Sequence, residues 1–402
     1  MMIVLLQDLC HNTGMEPEQA TLNWLLEGDP AIRWHVMRDV LEEPPAVYRA
    51  ERAKVATQGW GQRLLAEQDP DGNWGGGLYS PKWISTTYTL LTLRHLGLIA
   101  PHPQAQRGCE HFLERDFERD GGINLFKSAR YSETCVNGMI LAVLSYFRHP
   151  GEAAHRVAEF LRGEQMPDGG WNCQWNPETR QRTTHASFNT TILVLEGLAE
   201  YANAYPQMAA DVAPAIERGH EFFFVHQLYK SHRTGKMAYP AITRMPFPPR
   251  WHYDFLRGLD YLQSVGARRD PRAADAIGLL FQKRSPDGRW ALNTPWPARV
   301  FFQMESPGEP SRWNTLRALR VLKWWGTTPA PWAGAGVRVT GTPEATITPT
   351  EAVLVGVSPT KAALAPQIVV PHSPRSPRPA RQESRHSRRS RPAPDQQSRS
   401  GR

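Results

Sequence analysis

The chain has 402 residues, 40% of them hydrophobic, which is enough to bury a core in one large domain or two ordinary ones. Its formal net charge of +8 is uneven, because nine arginines against Glu383 and Asp395 give residues 371–402 a charge of +7. The remainder carries only +1, which excludes a basic face suited to specific nucleic-acid binding. No apolar run approaches the ~20 residues that span a bilayer, so we expect at most peripheral contact with a membrane.

The cysteines and the N-terminus indicate the compartment. Cys10, Cys109, Cys135 and Cys173 lie far apart and form no CxxC pair, a pattern more typical of reduced thiols than of a disulfide framework. Residues 1–6 are apolar, but Asp8 interrupts them before an export signal is complete. We therefore predict a cytoplasmic protein.

Apolar residues recur at helical spacing along most of the chain. After an N-terminal extension of residues 1–28, a proline in the first turn and 3–4 spacing predict a helix from Pro30. Further helices are predicted at 47–67, 85–98, 106–117, 133–147, 151–163, 187–201, 208–228, 253–265, 272–282 and 314–325. Those at 133–147 and 187–201 are apolar on all sides, whereas the ones that follow them have a polar side. This alternation predicts an inner and an outer ring of helices.

One turn recurs before the apolar helices. Its sequence is Gln-x-Pro-Asp-Gly-x-Trp at residues 68–74 and 165–171, with a shorter copy at 285–290 and a degenerate one at 120–123. Asp71, Asp120 and Asp168 are 49 and 48 residues apart, and an eroded copy near Thr234 fills the longer gap to the last turn. A period near 50 residues is typical of helical repeat proteins. We predict an all-α toroid of about six helix pairs over residues 29–328.

The composition changes after residue 328. Residues 329–402 are rich in Pro, Ser and Arg and have no apolar period, so they cannot bury enough surface to order themselves. We predict a disordered C-terminal tail.

The recurring turn resembles the Gln-Trp repeat of squalene–hopene cyclases and the related repeats of protein prenyltransferase β subunits. The resemblance covers about residues 30–325. It implies that the repeat glutamines and tryptophans are structural ties: Gln68, Trp74, Gln165, Trp171 and Trp290. It also implies a central cavity that takes an apolar, isoprenoid-type substrate.

The catalytic motifs of these families are missing or altered. There is no Asp-x-Asp-Asp, the motif with which a squalene-type cyclase protonates its substrate, and no Asp-Asp-x-x-Asp magnesium site. Glu133-Thr134-Cys135 resembles the Asp-x-Cys zinc ligands of prenyltransferases, but Asn314 stands where their histidine ligand would be. Because Asn is a poor zinc ligand, we expect no metal and no other cofactor.

The inner helices of such a toroid are parallel, so their N-termini should meet at one mouth of the cavity. Groups able to do chemistry lie at these starts, and we take Asp254, His252 and Glu133 as acid or base candidates. The candidate substrate-binding residues are Asn189, Arg257, Arg312, Asn314, Trp313, Cys135 and His185. Deeper in the cavity we expect an apolar lining from Met139, Leu193 or Leu256. The alternative is that polar residues at these starts, such as Asn189, only cap the helices.

Three functions remain open at this point. The first is a terpenoid cyclase-like or prenyltransferase-like enzyme acting on an isoprenoid-type substrate. The second is a noncatalytic toroid that binds a lipid or a protein segment, which the missing motifs favour. The third is an (α/α) carbohydrate-active enzyme, which would need Glu133 and Asp254 ~5–9.5 Å apart across an open cleft.

Overall fold

The computed structural model describes residues 17–115, 117–126, 131–176 and 181–326. They form thirteen α-helices: α1 (Pro17–Leu26), α2 (Pro30–His35), α3 (Pro45–Ala53), α4 (Gly59–Ala66), α5 (Thr86–Leu96), α6 (Pro103–Leu113), α7 (Thr134–Tyr146), α8 (Ala153–Gly163), α9 (Phe188–Ala204), α10 (Ala209–Val225), α11 (Phe255–Ser264), α12 (Ala274–Gln282) and α13 (Arg312–Trp325). A π-helical turn (Val36–Val40) extends α2. A two-residue antiparallel hairpin, β1 (Trp175–Asn176) and β2 (Gln181–Arg182), precedes α9. The tail predicted at 329–402 lies outside the described residues.

The recurring turn ties successive helices together with the same hydrogen bonds at different places. Trp74, Trp171 and Trp290 are fully buried, and each indole N–H donates to the carbonyl ten residues before it, in the preceding helix. The backbone N–H of each tryptophan donates to a threonine hydroxyl in the next helix. The side-chain amides of Gln68 and Gln165 bridge their own turn to a carbonyl of another helix. The prediction that these residues are structural ties is confirmed.

Several helices begin at side-chain caps. Ser187, Asp254 and Ser311 each accept a hydrogen bond from the backbone N–H three residues later, which satisfies a donor that the helix leaves open. These caps fix where α9, α11 and α13 begin. Since each helix follows a turn or loop at the same phase, their N-termini point the same way.

The helices alternate between an outer and an inner position, in six pairs: α1/α2, α4/α5, α6/α7, α8/α9, α10/α11 and α12/α13. Among the inner helices, α5 packs on α7, α7 on α9 and α11 on α13, and α13 packs on α2 and the π-helical turn. We call this last contact the closure. It includes an ion pair of 3.2 Å between Arg320 and Asp39 and a hydrogen bond from Arg312 Nε to the carbonyl of Trp24. The all-α toroid of about six helix pairs is thus confirmed.

The inner helices α7 and α9 approach each other most closely. A Cβ added at Gly138 would lie 2.8 Å from the backbone of Leu193, and one at Gly197 would lie 2.6 Å from the carbonyl of Gly138. Both positions therefore require glycine. None of the described helices is long and apolar enough to cross a membrane.

Candidate functional site

A cavity of about 330 Å³ lies inside the ring. We call it the central cavity, because every inner helix contributes to its wall. One lining residue from each, in chain order, is Trp34, Arg94, Tyr146, Glu196, Arg257 and Trp313. Three of these six are charged, and all three are buried or nearly so.

Glu196 lies between two arginines of the wall. Its carboxylate is 3.1 Å from Arg94 and 2.8 Å from Arg257, and Arg94 also reaches Glu200 at 2.8 Å. The side chains of Glu196 and Arg257 are only 8% and 4% exposed. Burial alone would raise the pKa of Glu196, but the charges of Arg257 and Arg94 hold it well below its usual range.

A second set of ion pairs lies on the α13 side of the cavity. Asp260 is 3.4 Å from Arg317 and 3.0 Å from Arg320, and Arg320 also binds Asp39 at the closure. Burial would raise the pKa of Asp39, but hydrogen bonds with His35 and Arg38 and the charge of Arg320 bring it far below its usual range. The centre of the ring is therefore held by an extended ionic network.

Arginines outnumber carboxylates around this cavity. Six guanidinium groups line it: Arg38, Arg52, Arg94, Arg257, Arg317 and Arg320. The carboxylates paired with them are Asp39, Glu196, Glu200, Asp260 and Asp254. Burial lowers the pKa of His35 to about 4 and that of His95 well below its usual range, so both imidazoles are neutral at pH 7. The wall is net positive whether or not Asp254 is ionised.

This charged lining differs from the sequence-based expectation. Met139, Leu193 and Leu256 were expected to make an apolar interior, but they do not line the central cavity. They are buried in the hydrophobic core of the ring instead. The expectation that polar groups lie only at the rim is wrong, because the inner helices turn arginine and glutamate toward the axis and apolar side chains toward their neighbours.

Asp254 is a buried carboxyl next to two arginines of the wall. It is 2% exposed, its Oδ1 caps α11 by accepting the N–H of Arg257, and Arg317 lies 3.8 Å away. Its Oδ2 has no hydrogen-bond partner among the described residues. Burial raises the pKa of Asp254, and the charges of Arg317 and Arg257 only partly offset this effect. The site therefore favours the protonated carboxyl more than water does.

His252 is wedged between aromatic rings. Its ring centroid is 3.7 Å from that of Trp251 and 3.6 Å from that of Trp296, and Trp83 meets it edge-on. Burial, reinforced by the charge of Arg257, lowers the pKa of His252 to about 3. Because the imidazole is neutral at pH 7, it holds no proton to give as an acid, and its stacking indicates a packing role.

Three of the predicted binding residues hold backbone groups. Asn189 accepts the N–H of Tyr253 at 2.7 Å, and Arg257 donates to the carbonyl of His252 at 2.6 Å. Asn314 donates to the carbonyl of Met245 at 2.8 Å, and its Oδ1 accepts from Arg317. These contacts anchor residues 245–253 over the ring. Of the three, only Arg257 also lines the central cavity.

The zinc set implied by the prenyltransferase resemblance does not fit this chain. Asn314 uses its amide for backbone carbonyls and Arg317, and a cationic neighbour disfavours a metal ion. The Cys135 sulfur instead lies 3.7 Å from the Glu133 carboxylate and 3.2 Å from the Cys173 sulfur. The three donor atoms lie within 4.8 Å of one another.

The remaining candidates do not share one site. Arg312 packs on the ring of Trp24 at 4.5 Å, and exposed His185 contacts Arg233. Trp313 lines the central cavity and stacks on Phe247 with 4.3 Å between ring centroids.

The expected shared mouth is only partly assembled. Glu133 and Asp254 are the N-cap residues of inner helices α7 and α11, so both lie at the N-terminal end of the ring. The charge of Lys82 acts on both Glu133 and His252, which places these two in one electrostatic neighbourhood. Neither Glu133 nor Asp254 lines the central cavity. The carbohydrate-active alternative requires a carboxylate that faces an open cleft, and buried Asp254 does not offer one.

The sequence reasoning missed the ionic network. Arg94, Glu196, Arg317 and Arg320 are charged residues on helices that are otherwise largely buried. A charge on a buried helix is the signal that marks them, since an ionised side chain is rarely buried without a partner. Their partners could not be predicted from the sequence, because an ion pair such as that of Arg94 with Glu196 joins residues 102 positions apart.

No protein-family model and no curated protein matches the chain. Among solved structures, it is similar to a variant of the type II terpene cyclase MstE from Scytonema in complex with geranylgeranyl dihydroxybenzoate, with 18% identity over 79% of this chain and 97% of that one, and a TM-score of 0.39. A protein from Actinoplanes matches with 17% identity over 78% and 100% of the two chains, at 0.39. The ent-copalyl diphosphate synthase from Streptomyces platensis matches with 17% identity over 70% and 51%, at 0.36. At these scores the likeness carries no argument about this chain, and the assignment of an all-α toroid rests on the helix contacts of the chain itself.

Proposed function

We propose that the chain binds a small amphiphilic isoprenoid with an anionic head group in the central cavity. The observation that carries the proposal is the excess of guanidinium groups over carboxylates in the wall. A buried net positive charge favours an anion that completes its pairing, and arginine forks suit carboxylate or phosphate. The isoprenoid part of the proposal comes from the repeat resemblance.

Arg52 is the best contact for the head group. Its guanidinium donates to the carbonyl of Gly97 and the hydroxyl of Tyr146, and it makes no ion pair with a carboxylate among the described residues. The aromatic rings of Trp313 and Phe247 offer an apolar wall for the chain of the ligand. The volume of about 330 Å³ lies at the lower end of the ~300–1,000 Å³ range of ligand pockets, so the ligand is small.

Calorimetry with geranic acid and geraniol tests this proposal, because the two share one isoprenoid chain and differ in the carboxylate. We expect geranic acid to bind at least ~10-fold more tightly than geraniol, which is the effect of one charge-assisted contact of ~1.4 kcal/mol or more. Arg52→Met should remove this preference. Arg156→Met is the matched control, because Arg156 belongs to the outer helix α8 and its guanidinium lies over the ring of Phe117. Equal affinities for acid and alcohol would contradict the anionic site.

A catalytic function is the second candidate, and Asp254 favours it. Asp254 lies behind the cavity wall, and burial raises its pKa, which suits it to give its proton to a carbon–carbon double bond that reaches it. Both charged neighbours of Asp254, Arg257 and Arg317, line the central cavity. Aromatic faces such as Trp313 would then stabilise the carbocation that forms.

Product analysis separates this enzyme from a noncatalytic binding toroid. We expect the full chain to convert a linear isoprenoid acid into a cyclic isomer of the same mass. Asp254→Asn keeps the capping oxygen but cannot give the proton, so turnover should fall ~10²–10⁴-fold while the melting temperature stays the same. Binding of geranic acid without any isomer would identify a binding toroid instead.

A further inference from the structure

We propose that Cys135 and Cys173 form a reversible disulfide, a thiol-oxidation site that ties the start of α7 to the segment after the Trp171 turn. The two sulfurs lie 3.2 Å apart as thiols, although 38 residues separate them in sequence. A disulfide bond is ~2.05 Å long, so the two sulfurs need to approach each other by only roughly 1.2 Å to form it. The pair is independent of the central cavity, which neither cysteine lines.

The surroundings give the two thiols different roles. Their mutual contact lowers the pKa of Cys173 and raises that of Cys135. Cys173 is therefore the thiol that attacks an oxidant first, since the thiolate is the nucleophile. The Cys135 thiol donates a hydrogen bond to the carboxylate of Glu133 at 3.7 Å. Burial raises the pKa of Glu133, which suits this carboxylate to take the proton of the thiol.

The oxidation balances with a low-molecular-weight disulfide such as glutathione disulfide. The Cys173 thiolate attacks one glutathione sulfur, a mixed disulfide forms and one glutathione leaves as a thiolate. Cys135 gives its proton to Glu133, its sulfur attacks the Cys173 sulfur, and the second glutathione leaves. Two protein thiols are oxidised, and one glutathione disulfide is reduced to two glutathiones.

The geometry favours a disulfide over a metal ion at these donors. Two thiolates bound tetrahedrally to one zinc at ~2.3 Å lie about 3.8 Å apart. The observed separation of 3.2 Å is shorter than this, so zinc would have to move the sulfurs apart, whereas a disulfide brings them closer.

The neighbouring thiol Cys109 supplies an internal control. Cys135 and Cys173 are half-buried, whereas Cys109 is fully buried in α6, where burial raises the pKa of its thiol. An oxidant should therefore reach the pair and leave Cys109 reduced.

The experiment oxidises the reduced full chain with glutathione disulfide, unfolds it in urea with iodoacetamide to block the remaining thiols, and maps the peptides by mass spectrometry. We expect a Cys135–Cys173 crosslink, a loss of two alkylated thiols and an alkylated Cys109. Glu133→Gln should slow the attack of Cys135 on the mixed disulfide at least ~10-fold, so that the mixed disulfide at Cys173 accumulates. Cys109→Ser should leave the crosslink unchanged.

Three results would overturn the proposal. One is full alkylation of both cysteines after oxidation. Another is a stable glutathione adduct on Cys173 in the unsubstituted chain, which would show that Cys135 cannot reach it. The third is copurified zinc released only when Cys135 or Cys173 is replaced by serine, which would identify a metal site.

Discussion

The periphery and the centre of this ring are stabilised by opposite kinds of interaction. At the periphery, buried indoles such as Trp171 fill the space between helices and donate one hydrogen bond each. At the centre, buried charges such as Glu196 and Arg257 satisfy each other across helices. An apolar side chain packs with any neighbour of suitable shape, but a buried charge needs one particular partner. The periphery can therefore repeat, and the centre cannot.

The largest effect should come from the periphery. Trp171→Ala removes a fully buried indole and leaves a cavity between α8, α9 and α10, so we expect a loss of ~3–5 kcal/mol in the free energy of unfolding. Urea denaturation measures it. Trp325→Ala is the control, because Trp325 is only partly buried at the end of α13 and should cost clearly less. Equal losses would show that the turn is no special tie.

The central network gives the next effect. Glu196→Gln keeps the shape of the side chain but leaves Arg257 buried without its carboxylate, which should cost ~3 kcal/mol. Glu221→Gln is the matched control, since its pair with Arg272 is exposed and should contribute at most ~1 kcal/mol. If both changes cost the same in urea denaturation, the central charges are solvated and the contrast with the periphery fails.

Acid should weaken the centre before the periphery. Burial lowers the pKa of His35 from its ordinary 6.5 to about 4, so its contribution to the free energy of unfolding is complete above pH 6.5 and is lost as the pH falls toward 4. Between pH 7 and pH 5 this amounts to ~2 kcal/mol. His35→Gln should flatten the fall of stability by that amount, measured as urea midpoints at both pH values. The raised pKa of Asp254 acts in the opposite direction, so the variant must be compared with the unsubstituted chain. Parallel pH profiles would refute the assignment.

The smallest effect is expected from the tail. Removing residues 331–402, which have no apolar period, should change the melting temperature by less than about 2 °C, or ≲1 kcal/mol. Ending the chain before Trp324 instead should lower it more, because Trp324 donates to the carbonyl of Ala267. A large shift from the first truncation would show that the tail packs on the ring.

The fold was predictable because its signal is local and recurrent. The turns at 68–74 and 165–171 place proline, glycine and tryptophan at fixed offsets, and the apolar helices follow directly. Proline fixes one backbone angle and glycine allows a positive φ, so seven residues decide the turn without help from the rest of the chain. The predicted stretch 47–67 was less accurate, since it contains two helices, α3 and α4, separated by a 3₁₀ turn.

The site was predictable only where it coincides with a helix start. Asp254 and Arg257 were named for their position, and both prove to be buried beside the centre. The ion pairs of Arg320 with Asp39 and the contact of Cys135 with Cys173 depend on how distant segments meet. Spacing in sequence holds no information about such meetings unless the whole ring is built first.

The closure has a consequence for how the chain is made. Within the described residues, the ring is a continuous polypeptide except between α13 and the opening helices, where Arg320 and Lys323 meet Asp39. Asp39 leaves the ribosome 281 residues before the arginine that neutralises it. Until α13 is synthesised the molecule is an open arc, and Trp34 and Asp39 lie at the edge on which α13 will pack. Resistance to proteases should therefore appear abruptly, when the last helix emerges, and a chain stalled earlier should be degraded from both edges of the gap.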